Sequence, residues 1–224
     1  MTRPPALYDL MIFDCDGVLV DSEPLAAEAF ENVYSRFGMP IPQGTVAHGV
    51  GMKQADIISL IGSLTGHYLP VEAEPHIWPE TRLLFGEKLK PTPGIADFLA
   101  KLDLARCVAS SSSPERIAFS LTVTGLARYF GDAVYSSSMV KRGKPAPDLF
   151  LFAADKMGVD PARCVVIEDS PFGVEGAVAA GMTAFGYIGG GHTYDGHAER
   201  LAAKGARAVF AHWDDIAREI LVAA

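Results

Sequence analysis

A chain of 224 residues, 49% hydrophobic and 21% charged, holds enough apolar material for a sizeable globular core, either one large domain or a core carrying a smaller insert. Its 27 acidic residues outnumber 19 basic ones, for a formal net charge of −8, and no block of like charge stands out. An acidic chain without a basic stripe argues against nucleic acid and anionic membranes as partners, so any bound phosphate must be held by local positive charge.

Residues 1–9 carry one Arg and two Pro, and the apolar run 10–13 is far too short for a signal peptide or a membrane span, so a cytoplasmic protein is expected. Residues 8–14 (YDLMIFD) read as a buried strand ending in an acid. Ser22 is expected to cap a helix, with Glu23 and Pro24 in its first turn, Ala26, Phe30, Val33 and Phe37 at helical spacing, and Gly38 as its stop. A second helix is predicted over 53–64. A third spans 71–89, which Pro75 and Pro79 must break or bend. Residues 20–89 thus contain helices and no convincing strand.

Beyond Pro91-Thr92-Pro93-Gly94 the pattern alternates. Strands are predicted at 106–109, 133–135, 164–167, 183–187 and 208–210. Helices are predicted at 95–102, from Pro114, at 147–157 before Gly158, at 171–180 before Gly181, near Glu199 and at the end of the chain. This predicts an α/β fold: a Rossmann-like, doubly wound parallel sheet formed by residues 1–19 and 90–224, interrupted by a small α-helical cap at 20–89. Cys15, Cys107 and Cys164 are odd in number and widely spaced, which fits neither a zinc pattern nor a complete disulfide framework; buried reduced thiols are expected. Trp78 and Trp213 look structural.

Ligands of open α/β sheets bind at the carboxyl ends of the strands, and four polar clusters lie there or in loops that can follow strands. Asp14-Cys15-Asp16-Gly17-Val18 follows the first strand. Residues two apart in an extended chain face the same way, so Asp14 and Asp16 can share a site, one as nucleophile and one as proton shuttle, and Gly17 lets the chain turn. By itself this pattern also occurs in surface turns and calcium loops. Ser110 to Ser113 follow a strand; a hydroxyl and neighbouring N–H groups there can hold phosphate, or form a flexible loop. Lys144, in Lys144-Pro145-Ala146-Pro147-Asp148, can place positive charge on a transferring phosphoryl group or merely be solvated. Glu168-Asp169-Ser170 ends a very apolar strand, where two acids are costly to bury without a partner. A bound cation would resolve that, and Mg²⁺ prefers such hard oxygen ligands; a helix cap from Asp169 or Ser170 is compatible with it.

Together, the order DxDGV, strand-end serine, KPxPD and strand-ED resembles the haloacid dehalogenase superfamily of phosphohydrolases, over nearly the whole chain. The helical insert is similar to that of the branch containing β-phosphoglucomutase and phosphoglycolate phosphatase, and residues 173–182 resemble the segment that follows the metal acids there. The resemblance implies a Mg²⁺-dependent phosphatase for a small phosphorylated metabolite. Asp14 would become an aspartyl phosphate, and Asp16 would protonate the leaving alcohol and then activate water. Mg²⁺ would be held by the side chains of Asp14 and Asp169 and the backbone carbonyl of Asp16, with Glu168 behind them. Ser110, Ser111 and Lys144 would hold phosphate. The loop Gly51-Met52-Lys53 would help the cap choose its substrate, and a monomer is expected.

Within the same resemblance, a dehalogenase has no need of Asp16, and a phosphonatase-like enzyme is suggested only by Lys53. A phosphosugar mutase would carry a histidine where Ala26 stands and an arginine where Gln54 stands, so hydrolysis is favoured. A phosphoacceptor switch is the non-enzymatic alternative, but receivers of that kind lack the helical insert. Gly189-Gly190-Gly191-His192 is no P-loop, having no Lys-Ser/Thr after it; it reads as a plain loop or part of a site rim, and His192 with His197 does not make a metal site.

Overall fold

The computed structural model of the chain describes residues 7–49 and 51–222. Six parallel strands form one sheet: β1 (Leu10–Phe13), β2 (Ala105–Ser110), β3 (Val134–Ser136), β4 (Cys164–Glu168), β5 (Thr183–Tyr187) and β6 (Ala208–Phe210). Their spatial order is β3-β2-β1-β4-β5-β6. The strand order reverses between β1 and β4, which pair from Leu10 with Cys164 to Phe13 with Ile167. That reversal opens a crevice at the carboxyl edge.

The helices are α1 (Glu23–Arg36), α2 (Gln54–Thr65), α3 (Ile77–Lys88), α4 (Ile95–Lys101), α5 (Pro114–Val123), α6 (Asp148–Met157), α7 (Pro171–Ala179), α8 (His197–Ala203) and α9 (Trp213–Val222). Alternation along the strands assigns the two faces of the sheet. Met11, Phe13, Val165, Ile167 and Phe185 meet Phe98, Ile117, Leu121, Trp213 and Ile216 of α4, α5 and α9. Leu10, Ile12, Cys164, Val166 and Ala184 meet Leu149, Phe150, Val174, Ala177 and Leu201 of α6, α7 and α8. Both faces are covered, so β1 and β4 are buried along their whole length. Each such Leu, Ile or Phe contributes roughly 1.5–3 kcal/mol by leaving water. The three cysteines are free and buried. Among the described residues no helix is long and apolar enough to cross a membrane.

Helices α1 to α3 enclose a separate apolar cluster, including Phe30, Val33, Tyr34, Ile58, Ile61 and Ile77. The chain leaves the sheet side and returns to it by two adjacent passages. Asp21 N–H donates to Lys90 O, Thr92 N–H donates to Leu19 O, and the Thr92 hydroxyl donates to Val18 O at 2.6 Å.

Two local expectations need correction. Residues 71–73 form turns, and α3 begins at Ile77, after a 3-10 turn that contains Pro75. Pro79 falls in the first turn of α3, where a missing N–H leaves no bond unmade. Ser22 stands at the start of α1, but its hydroxyl makes no cap bond; it is drawn to an acid instead.

Candidate active site

The four polar clusters converge at the carboxyl edge of the sheet, beside the β1–β4 reversal. Asp14 leaves β1 with its N–H donating to Ile167 O at 3.0 Å. Gly17 then turns the chain with φ +73°. A Cβ there would lie 1.9 Å from Asp169 Oδ2, so only glycine lets the first loop approach the end of β4 this closely.

Lys144, in the loop between β3 and α6, is not solvated: its side chain is 2% exposed. Its ammonium donates to Asp14 Oδ1 at 2.8 Å and to Glu168 Oε1 at 2.5 Å, and lies 5.2 Å from the ring centre of Phe150. Glu168 Oε2 accepts from the N–H and the hydroxyl of Ser170, at 2.9 and 3.0 Å. Ser170 Oγ also accepts from Gly173 N–H, capping α7. The acid that β4 buries is therefore satisfied by a lysine and a serine, without recourse to a cation.

Asp16 takes three donors. Ser22 Oγ at 2.6 Å and Arg116 at 2.8 Å reach Oδ1, while Ser112 Oγ reaches Oδ2 at 2.6 Å. Arg116 comes from the first turn of α5, where its guanidinium also lies 5.1 Å from the ring centre of Phe85. Asp169 Oδ2 stands 2.8 Å from His192 Nε2, although neither atom completes a well-directed hydrogen bond. His197 Nε2 donates to the backbone carbonyl of Asp169 at 2.6 Å.

Carboxylate oxygens of Asp14, Glu168 and Asp169, all buried, lie within 4.8 Å of one another. Burial, together with the charges of Glu168, Asp169 and Asp16, pushes the Asp14 carboxyl well above the usual carboxylate range against the opposing pull of Lys144. Burial likewise raises Glu168 despite Lys144. Burial also acts upward on Asp16, but Arg116, Ser112 and Ser22 outweigh it and hold that carboxyl below its ordinary value. Burial and the nearby charge of Asp16 push Glu23 up to about 7. Burial lowers His192, but the Asp169 carboxylate prevails and lifts it to about 9. Three clustered acids against one lysine leave surplus negative charge. An all-oxygen donor set of buried carboxylates is what a hard divalent cation requires.

The pocket above these groups is lined on the sheet side by Ser110, Ser111 and Ser112, and on the helical side by Glu23, Ala26, Phe30, Val46, Met52 and Ile57. A family model of haloacid dehalogenase-like hydrolases matches residues 8–181.

The chain belongs to the haloacid dehalogenase-like hydrolases.

This hydrolase is 29% identical over 194 residues to the 6-phosphogluconate phosphatase of Escherichia coli, covering 86% of each chain. It is 34% identical over 191 residues to the fructose-1-phosphate phosphatase of the same organism, covering 79% of this chain and 95% of the relative. Among solved structures it resembles a haloacid dehalogenase-like protein of unknown function from Agrobacterium tumefaciens. The TM-score is 0.84 at 37% identity, covering 96% of this hydrolase and 98% of that chain.

The structure brings Asp14, Asp16, Ser110, Ser111, Lys144 and Asp169 to one pocket, with Glu168 behind Lys144. Gly51 and Met52 also line it; Lys53 does not, being exposed with its side chain lying against Gly143. Val50 lies outside the described residues. Site roles for Ser22, Arg116 and Glu23 escape the sequence reading, as does the bond from Ser112 to Asp16. The run of four serines is a partial signal for Ser112. Glu23 is visible in sequence only as an acid suited to a helix start.

Proposed function

We propose that this hydrolase is a Mg²⁺-dependent phosphomonoesterase for small phosphorylated sugars or sugar-like metabolites, working through an aspartyl phosphate on Asp14. One observation carries the reading: Asp14 lies in the pocket with one carboxylate oxygen held by the buried ammonium of Lys144, and Asp16 is in the same pocket.

In the first half-reaction a carboxylate oxygen of Asp14 attacks phosphorus, and the bond from phosphorus to the substrate oxygen breaks. Asp16 gives that oxygen its proton. In the second half, Asp16 takes a proton from water, the water oxygen attacks phosphorus, and the bond to Asp14 breaks, releasing phosphate. Resting Asp16 is held ionised by its three donors; an arriving phosphate brings negative charge beside it and raises its proton affinity. Lys144 and Ser110 hold phosphoryl oxygens, supported by N–H groups of the serine loop. Glu168 keeps Lys144 in place. Bound by the carboxylates of Asp14 and Asp169 and the carbonyl of Asp16, Mg²⁺ would supply the positive charge that offsets the phosphoryl group.

The helical segment 20–89 acts as a cap over this pocket, with Gly51 and Met52 contributing to its wall. Ala26 lines the pocket where a mutase would be expected to carry a histidine, and this supports hydrolysis over transfer. The names of the Escherichia coli relatives support sugar phosphates as the substrate class.

Phosphate release from a panel of phosphorylated metabolites, with Mg²⁺ and with chelator, tests this reading, with Asp14→Asn as the blank. Metal-dependent release that disappears in the variant is expected. Release that persists in it would place the nucleophile elsewhere.

A further inference from the structure

We infer that His192 is a positioning residue for Asp169, tying down one carboxylate oxygen so that the other is presented in a fixed direction to the divalent cation. The inference rests on the metal reading proposed above.

The side chain of His192 is only 4% exposed, and its Nε2 stands 2.8 Å from Asp169 Oδ2. Neither ring nitrogen has a hydrogen-bond partner among the described residues, so the approach to Asp169 is its principal polar contact. An imidazole is costly to bury without a partner, so a sequence that places one here needs a reason. The loop between β5 and α8 is shaped to deliver it. A Cβ on Gly190 would come within 2.9 Å of both Gly17 O and the His192 ring. Gly191 N–H donates to Asp21 Oδ1 at 2.8 Å, and a Cβ on Gly191 would meet that carboxylate at 2.9 Å. The glycines thus let this loop lie directly on the Asp14–Gly17 turn, with His192 over Asp169.

Asp169 is also held through its backbone. His197 donates to its backbone carbonyl at 2.6 Å, and the two imidazoles meet edge to face with centroids 5.6 Å apart. Tyr194 stacks on His197 at 4.6 Å. One histidine therefore holds the backbone of Asp169, and the other stands against its side chain at 2.8 Å. A ligating carboxylate with a free second oxygen can rotate or chelate; one whose second oxygen is tied offers a single, oriented lone-pair direction.

Mg²⁺ binding measured by isothermal titration calorimetry, without substrate, tests this directly on wild type, Asp169→Asn, His192→Ala and His192→Asn. Asn keeps a polar group in the buried site but is too short to reach Asp169. Wild type should bind, Asp169→Asn should not, and both His192 variants should bind roughly 10–100-fold more weakly. The Mg²⁺ concentration giving half-maximal activity should rise by the same factor while kcat at saturating Mg²⁺ stays near that of wild type. Should His192→Ala fail to fold, His192→Asn carries the comparison. Affinity within twofold of wild type in a folded His192 variant overturns the inference, and so does tighter binding, which would make the imidazole a competitor of the cation. Absence of Mg²⁺ binding by wild type would instead overturn the metal reading, and this inference with it.

Discussion

Lys144 Nζ and Glu168 Oε1 lie 2.5 Å apart with both side chains sealed from solvent, 2% and 0% exposed. This pair answers the question raised by two acids at the end of an apolar strand. The charge of Glu168 is neutralised inside the protein, and the lysine so anchored still reaches Asp14.

Removing one partner of a buried ion pair leaves an uncompensated charge, at a cost of roughly 3–5 kcal/mol. Lys144→Ala is therefore expected to lower stability by about that amount in chelator at neutral pH, read from the urea midpoint, and to weaken phosphate affinity and rate together. Lys144→Met combined with Glu168→Gln should recover much of the stability and none of the activity. A single variant as stable as wild type would mean that the pair contributes nothing to the fold.

The strands and the four polar clusters were readable because their signals are local. Burial of β1 and β4 on both faces writes itself as continuous apolar runs, LMIF and CVVI, and an acid at the end of such a run stands out. What was not readable depends on distant partners. Ser22 has the sequence of a helix cap, yet its hydroxyl turns six residues back to Asp16. Arg116 looks like an ordinary first-turn residue of α5, because the acid it serves lies 100 residues away. His192 sits in a glycine-rich loop whose shape is dictated by the surface of the Asp14–Gly17 turn, and nothing beside it in the chain records that surface. The exact start of α3 at Ile77 is not legible, because helical periodicity continues across the turns that Pro75 interrupts.

Arg116 holds Asp16 ionised, so its loss should make that carboxyl easier to protonate. Arg116→Ala removes a cation 2.8 Å away, which raises the pKa of Asp16. A general acid works below its pKa, and in the proposed mechanism kcat/KM reports the step in which Asp16 gives up its proton. The alkaline limb of the kcat/KM profile should therefore move to higher pH in Arg116→Ala. A limb that stays in place, or moves down, would separate Arg116 from the proton shuttle.

Glu23 supplies a stability test with a defined sign. Burial and the charge of Asp16 lift its carboxyl from 4.5 to about 7. A group whose folded pKa is raised contributes stability that is fully present below the unfolded value and lost as pH rises through the folded one. Glu23→Gln should therefore match wild type at pH 4 and exceed it at pH 8 by between about 1 and 3 kcal/mol, measured by thermal melts in chelator. An equal gap at both pH values would show that ionisation of Glu23 is not the cause.

Gly173 and Gly86 both sit in helices, and propensity alone predicts that alanine stabilises each by up to about 1 kcal/mol. Packing separates them. On Gly86, exposed in α3, a Cβ would meet nothing nearer than the Phe119 ring at 3.8 Å. On Gly173, in the first turn of α7, it would fall 1.9 Å from both Cδ and Oε1 of Glu168. The Glu168 carboxylate would have to move, breaking its bonds to Ser170 and Lys144 and freeing Lys144 from its place beside Asp14. Gly86→Ala should gain a few tenths to about 1 kcal/mol with activity unchanged. Gly173→Ala should lose about 2 kcal/mol or more by the same urea titration and most of its turnover, as expected for disruption of a buried network. Stabilisation of both variants alike would mean that Glu168 can shift without disturbing Lys144, and that Lys144 does not depend on Glu168 for its place beside Asp14.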